Sequence, residues 1–334
     1  MGMKERNNKK KKGIVKKVFL IIAAILLVWL LTDIIVTEVY AGKIPHHYAS
    51  AKEGRELMLS NTEYYENVTQ IDIDNRLGKS GGTLDELLEA STAEVKSFNI
   101  FEKYIIDRRI ANMAKTIARN DYELPYLEEI VFIKTDMTVE GMAASGYTHG
   151  TQIYLNSTNI MISVIPEAGN FFEQLLWHEL FHCLTRNNPE FRSEMYSIIH
   201  FTVTGTEYEL PPCIKDLYRS NPDVEHHNSY ATFNINGQDI DCFVVWIYLQ
   251  QEDGSYTDDT PVLVPIDGTD TYYLPEQASN FNEVFGENTD YTIDPEECLA
   301  DNFKYAMYYG IDGWNGQGYP NPEIIQDIID VMKK

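Results

Sequence analysis

The sequence predicts an α+β fold carried behind one N-terminal membrane helix, and three observations predict it. A lysine-rich start runs directly into a long apolar stretch, "VFLIIAAILLVWLLTDIIV", at residues 18–36. Helical periodicity recurs at residues 83–119, 171–201 and 295–333. Between the last two of these, residues 230–274 alternate apolar and polar side chains around Gly-containing turns, as β-hairpins do. The chain's 334 residues are ample for a sizeable core.

Residues 1–17 read as a basic cytoplasmic tail and residues 18–36 as a transmembrane anchor or signal segment. Nineteen residues of helix span about 28 Å, close to the hydrocarbon thickness of a bilayer. Asp33 falls near the outer end of the run, where interfacial water reaches it. Lysines precede the run and few follow it, so the N-terminus is expected in the cytoplasm and the remainder outside the cell membrane, as a single-pass protein. "VYA" before Gly42 also suits cleavage after Ala41, which would release a secreted body. Residues 1–41 hold eight Lys/Arg against three acids, a net +5. The whole chain carries −24, which leaves −29 for residues 42–334. Phosphate would repel such a body, so nucleic acid is excluded as a partner. Four cysteines, at 183, 213, 242 and 298, allow two disulfides or free buried thiols.

Residues 37–82 read as a juxtamembrane linker and residues 83–334 as the main domain. "TLDELLEA" begins with Thr83 as helix cap and Glu86 as its box partner. In "FEKYIIDRRIANMAKTIARN", Ile105, Ile106, Ile110, Met113 and Ile117 recur at helical spacing. "EEIVFIKT" and "GTQIYLN" are short strands. Asn170 and Glu173 offer a capping box for a helix over 171–186, and a second helix follows from Pro189. The alternating stretch lies within a β-rich insertion at about 203–293.

The segment "LLWHELFHCLTRNN" carries the chemistry. His178 and His182 are i and i+4 on one helical face, the spacing at which two imidazoles reach one tetrahedral ion. Glu179 points roughly 100° away from His178, offset from the ion and placed to hold a water and take its proton. Phe172, Trp177, Leu180, Phe181 and Leu184 cover the rest of the helix, so it is buried, and a metal supplies the partners its polar groups need. In "DPEECLADNFKYAMYYG", Glu297 and Asp301 also share one helical face, although Asp294 to Glu297 is equally a plain capping box.

Through "HELFH" the sequence resembles the zincin metallopeptidases. The metzincin branch would need Gly at 185 and His at 188, where this chain has Thr185 and Asn188. The gluzincin branch pairs the motif with a later Glu-x-x-x-Asp, which Glu297 and Asp301 match. That resemblance implies a zincin-like catalytic domain and a Zn²⁺ cofactor held by His178, His182 and Glu297. It further implies that Asp301 accepts the N–H of His178, with Glu179 as general base. Glu190, Glu194 and Glu296 are alternative ligands. The interval from His182 to Glu297 exceeds that of thermolysin-like enzymes, which makes 203–293 an insertion. The resemblance rests on about 25 residues in two windows.

Zincins pair extended substrate with an edge strand, and residues 147–155 resemble it, which turns Tyr147 and His149 toward substrate. "NPDVEHHNSY" offers His226, His227 and Tyr230 for oxyanion stabilisation, with His227 and Tyr230 the catalytic candidates. The expected function is zinc-dependent hydrolysis of peptide bonds in extracytoplasmic peptides or proteins, with the membrane as partner through the N-terminal helix. The alternative is a non-catalytic zincin-fold ectodomain that serves as a binding module. The oligomeric state is not legible in the sequence.

Overall fold

The computed structural model describes residues 2–140 and 144–333, with side chains from residue 16 onward. The basic side chains of residues 4–12, read as part of a cytoplasmic tail, lie outside that description. Helix α1 (Gly2–Ala41) contains a stretch, Lys16–Ala41, that is long and apolar enough to cross a membrane. Its residues 18–32 are exposed. Its last two turns dock on the domain instead: Thr37 and Ala41 are buried, and Asp33 accepts from the Tyr104 hydroxyl.

Strand β1 (His46–Tyr48) follows, then four helices, α2 (Ala51–Ser60), α3 (Thr62–Glu66), α4 (Gln70–Leu77) and α5 (Leu84–Ala93). Residues 37–82 are therefore not a linker. β1 pairs in parallel with β2 (Ile130–Thr135), and Met58 and Tyr65 pack in a core cluster with Ile133 and Tyr154. Short polar helices with one buried residue per turn carry too little apolar signal to be distinguished from a linker by sequence. Thr83 and Glu86 do form the expected capping box of α5. The long helix α6 (Ile100–Asn120) has its own box, Asn99 with Glu102, and buries Ile105, Ile106, Ile110 and Met113.

The first sheet has the order β1-β2-β4-β3. β4 (Gln152–Asn156) runs parallel to β2, and β3 (Gly146–His149) is antiparallel to β4 at the sheet edge. After α7 (Ser157–Ile162) comes α8 (Pro166–Asn187), which starts one turn earlier than expected. Pro166 opens it with its preset φ, Asn170 falls inside the helix, and Glu173 bonds Asn112 of α6 instead of capping. α8 buries thirteen residues, Trp177 and Phe181 completely, as a helix apolar around most of its surface must.

The chain continues through α9 (Pro189–Ile198), β5 (Thr202–Val203), α10 (Pro212–Lys215), β6 (Ser229–Ile235), β7 (Gln238–Leu249) and β8 (Asp258–Pro265). β5 to β8 form a second, antiparallel sheet in sequential order. Asn236 and Gly237, both at positive φ, make the tight β6–β7 turn. "TYYLP" adds only an isolated bridge, Tyr273 to Leu263. Ala231, Phe233, Ile235 and Val244 enter the same core as α8, so the expected insertion shares the main core. Helices α11 (Phe281–Phe285), α12 (Pro295–Tyr309) and α13 (Pro322–Val331) complete the fold. Cys183, Cys242 and Cys298 are buried and Cys213 is exposed; all four are free thiols.

Candidate metal centre

α12 packs along α8 and brings its first turns to the two histidines. Asp294 caps α12 by accepting the N–H of Glu296, so Glu297 is left free of capping. Successive carboxylates on a helix diverge by about 100°, and each finds a different histidine atom. Glu297 Oε2 lies 3.1 Å from His178 Nε2 and 3.7 Å from His182 Nε2. Asp301 Oδ1 lies 3.0 Å from His178 Nδ1, and Glu296 Oε1 lies 3.0 Å from His182 Nδ1. Tyr196 and Thr185 donate their hydroxyls to Glu296, and Thr289 donates to Asp301.

Both imidazoles are thus held at Nδ1 by carboxylates, which place the proton there and leave each Nε2 lone pair facing Glu297. His182 Nε2 is buried with no hydrogen-bond partner. Two lone pairs and a carboxylate oxygen converging out of water repel one another unless a proton or a metal ion sits between them, and the His178–Glu297 contact can take a proton whereas His182 Nε2 has no such partner. Donors about 2.0–2.2 Å from one tetrahedral ion stand roughly 3.3–3.6 Å apart, close to the separations measured here. His178, His182 and Glu297 accordingly form a group able to hold a metal ion. Glu190 is exposed and Glu194 half-buried, and among the described residues neither joins such a group. Glu296 serves His182 from behind.

Glu179 leaves the histidine face, as its place on the helix requires. Its Oε2 accepts from the Thr148 hydroxyl at 2.7 Å. Burial first, and Asp223 second, push its carboxyl up to about 7, against the two histidines and the Thr148 hydrogen bond. A Cβ at Gly146 would stand 2.8 Å from Glu179 Oε1, so the absence of a side chain there leaves room for this carboxylate.

The β3 expectation holds for the strand and is reversed for its faces. Side chains alternate along a strand. Gly146 and Thr148 face Glu179, while Tyr147 and His149 turn to the α2–α4 side. There His149, 4% exposed, lies 4.8 Å from the Tyr64 ring, and Tyr147 stacks on Tyr154. Both are buried there, on the face away from Glu179. His227 and Tyr230 are likewise removed from the metal-capable group. The His227 ring packs on Tyr218 and Phe243 with a buried, unpartnered Nδ1, and Tyr230 sits in β6 opposite Thr202. His226 pairs with Glu207 at the surface.

Three residues given no role in the sequence reading reach the metal-capable group. Asn221 donates to Glu297 Oε1, as does the Tyr291 hydroxyl at 3.2 Å. Asp223 Oδ1 lies 4.0 Å from His182 Nε2 and forms a second metal-capable group with Glu179 and His182. Tyr291 had a usable signal, six residues before Glu297. Asn221 and Asp223 had none, because the loop fold alone turns them inward. No protein-family model, curated protein or solved structure matches this chain.

Proposed function

We propose that this chain is a membrane-anchored zinc metallopeptidase of the gluzincin type, with Zn²⁺ held by His178, His182 and Glu297. The observation that carries the reading is the convergence of both Nε2 atoms on Glu297 while carboxylates hold both Nδ1 atoms. Two imidazoles and one carboxylate are a typical donor set of catalytic zinc, which keeps a further position open. When bound, the ion supplies Lewis acidity that lowers the pKa of water and polarises a scissile carbonyl.

The side chains then have distinct tasks. Glu179 takes the proton of the attacking water and hands it to the leaving nitrogen. Thr148 fixes that carboxylate, Asp301 and Glu296 orient the histidines, and the Tyr291 hydroxyl stands beside Glu297 as a donor for the developing oxyanion. The unbroken α1, with Ala41 buried in the main core, favours an uncleaved anchor over release after Ala41. The lysine asymmetry favours a body outside the membrane.

Metal analysis of the purified chain with peptide-library cleavage tests the reading. Stoichiometric zinc is expected, lost in His178→Ala. Cleavage is expected to fall roughly 10²–10⁴-fold in Glu179→Gln with zinc retained. Zinc without cleavage of any library would instead favour the binding module.

A further inference from the structure

We propose that residues 221–225 form a strap that closes the metal centre from within the chain, with Asp223 as a fourth metal ligand in the resting state. This rests on the metal-centre reading above and concerns the regulation of that same site.

β3 is an edge strand, and an edge strand offers its outward N–H groups to whatever lies beside it. The Thr148 N–H lies on the β3 edge, and Gly150, at positive φ, opens the turn that follows the strand. Both N–H groups are already taken. Thr148 N donates to Asp223 Oδ1 at 2.7 Å, and Gly150 N donates to Glu225 Oε1 at 2.8 Å. The two acids, like their two donors, are two apart, so the strap follows the strand edge as an added strand would and answers with carboxylates where a peptide would bring carbonyls.

The strap is fastened at both ends. Asn221 donates to the ligand Glu297, and its Oδ1 accepts the Asp223 N–H. Arg186, at the end of the histidine helix, donates to the Pro222 carbonyl at 3.0 Å and pairs with Glu225 at 3.2 Å. Asp223 is 7% exposed and lies 4.0 Å from His182 Nε2, a buried histidine nitrogen without a hydrogen-bond partner. With Glu179 and His182 it forms a second metal-capable group, which shares His182 with the proposed site, so a small movement of the strap would carry it to the ion's open position from the Glu179 side. A fourth protein ligand makes a zinc site closed and unreactive, whereas catalysis needs that position open. Behind the strap lies a cavity of about 380 Å³, with Asp223, Val224 and Glu225 on one wall and Arg192, Ser193 and Tyr196 of α9 on the other. The strap has room to withdraw there without unfolding β3.

The test uses the full-length chain in detergent, loaded with Co²⁺ for its visible spectrum and with Zn²⁺ for chelator competition and library cleavage. Asp223→Asn should change the Co²⁺ spectrum, release zinc at about tenfold lower chelator concentration, and raise cleavage several-fold at saturating zinc. Glu225→Ala, at an exposed position but removing the partner of the buried Arg186 side chain, is checked for folding by circular dichroism and should leave the Co²⁺ spectrum unchanged. It should also raise cleavage and speed amide exchange in the peptide containing Gly150. A wild-type chain that binds metal, with an unaltered spectrum in Asp223→Asn, overturns the strap and spares the metal reading. A changed spectrum with cleavage equal or lower also overturns it, because Asp223 would then serve the reaction. A wild type that takes up neither metal overturns both.

Discussion

A single hydrogen atom at position 146 decides whether Glu179 can lie where it does. An alanine there would set its Cβ 2.8 Å from Glu179 Oε1 and 3.3 Å from the Tyr154 carbonyl. The carbonyl is fixed in the sheet, so the carboxylate must move, and Thr148 no longer holds it in place. Gly146→Ala is therefore expected to lower peptide cleavage by roughly tenfold to 10²-fold with metal content unchanged, read by steady-state kinetics beside metal analysis. Cleavage at the wild-type rate would show that Glu179 tolerates displacement and is not the base. The same scale explains the division of labour at 296 and 297. Adjacent glutamates serve opposite histidine atoms because the helix turns about 100° between them.

At the scale of the element, β3 separates two chemistries by its alternation. Thr148 bonds Glu179 beside the metal-capable group, and His149 is sealed among tyrosines on the other face. Burial first, then the charges of Arg186 and Arg76, hold the His149 imidazole at about 3, below the free value of 6.5. An unfolded chain binds a proton there that the folded chain refuses. The stability contributed by the neutral ring is thus full above the free value and lost as pH falls through 6.5 toward 3. His149→Gln should make the drop in unfolding free energy between pH 7 and pH 4 about 3 kcal/mol smaller, measured by denaturant titration at each pH. An unchanged drop would mean that His149 is not neutral and buried in solution.

At the scale of the molecule, α1 links an exposed apolar surface to a folded body without a break. Asp33 bonds Tyr104, and Lys115 lies over the Tyr40 ring at 5.1 Å, so the last turns of α1 follow α6 in parallel. Ile100 and Phe101, at the start of α6, are exposed beside it. Trp29 is 62% exposed midway along the apolar run, while Trp177 is wholly buried. In vesicles containing brominated lipid, the full chain should show tryptophan quenching that disappears in Trp29→Phe. Quenching equal in wild type and variant would remove the anchor from the proposal.

Much of this chain is legible before folding because periodicity and capping are local. The apolar run of α1, the boxes of α5, the β6–β7 turn and the His178/Glu179/His182 spacing all depend on neighbours within a few residues. Glu297 and Asp301 were legible as a pair on one helix face, which fixed their common direction. What faces that direction is a matter of packing. The tertiary structure alone decided that Glu297 and not Glu194 meets the histidines, and that Tyr147 and His149 turn away from Glu179. It alone brought Asp223 and Asn221 to the centre from a loop more than forty residues past His178. The sequence by itself determined which groups were available and how each was spaced on its own element. Long-range burial determined which of them share one dry volume, and charges without water must then find one another or an ion.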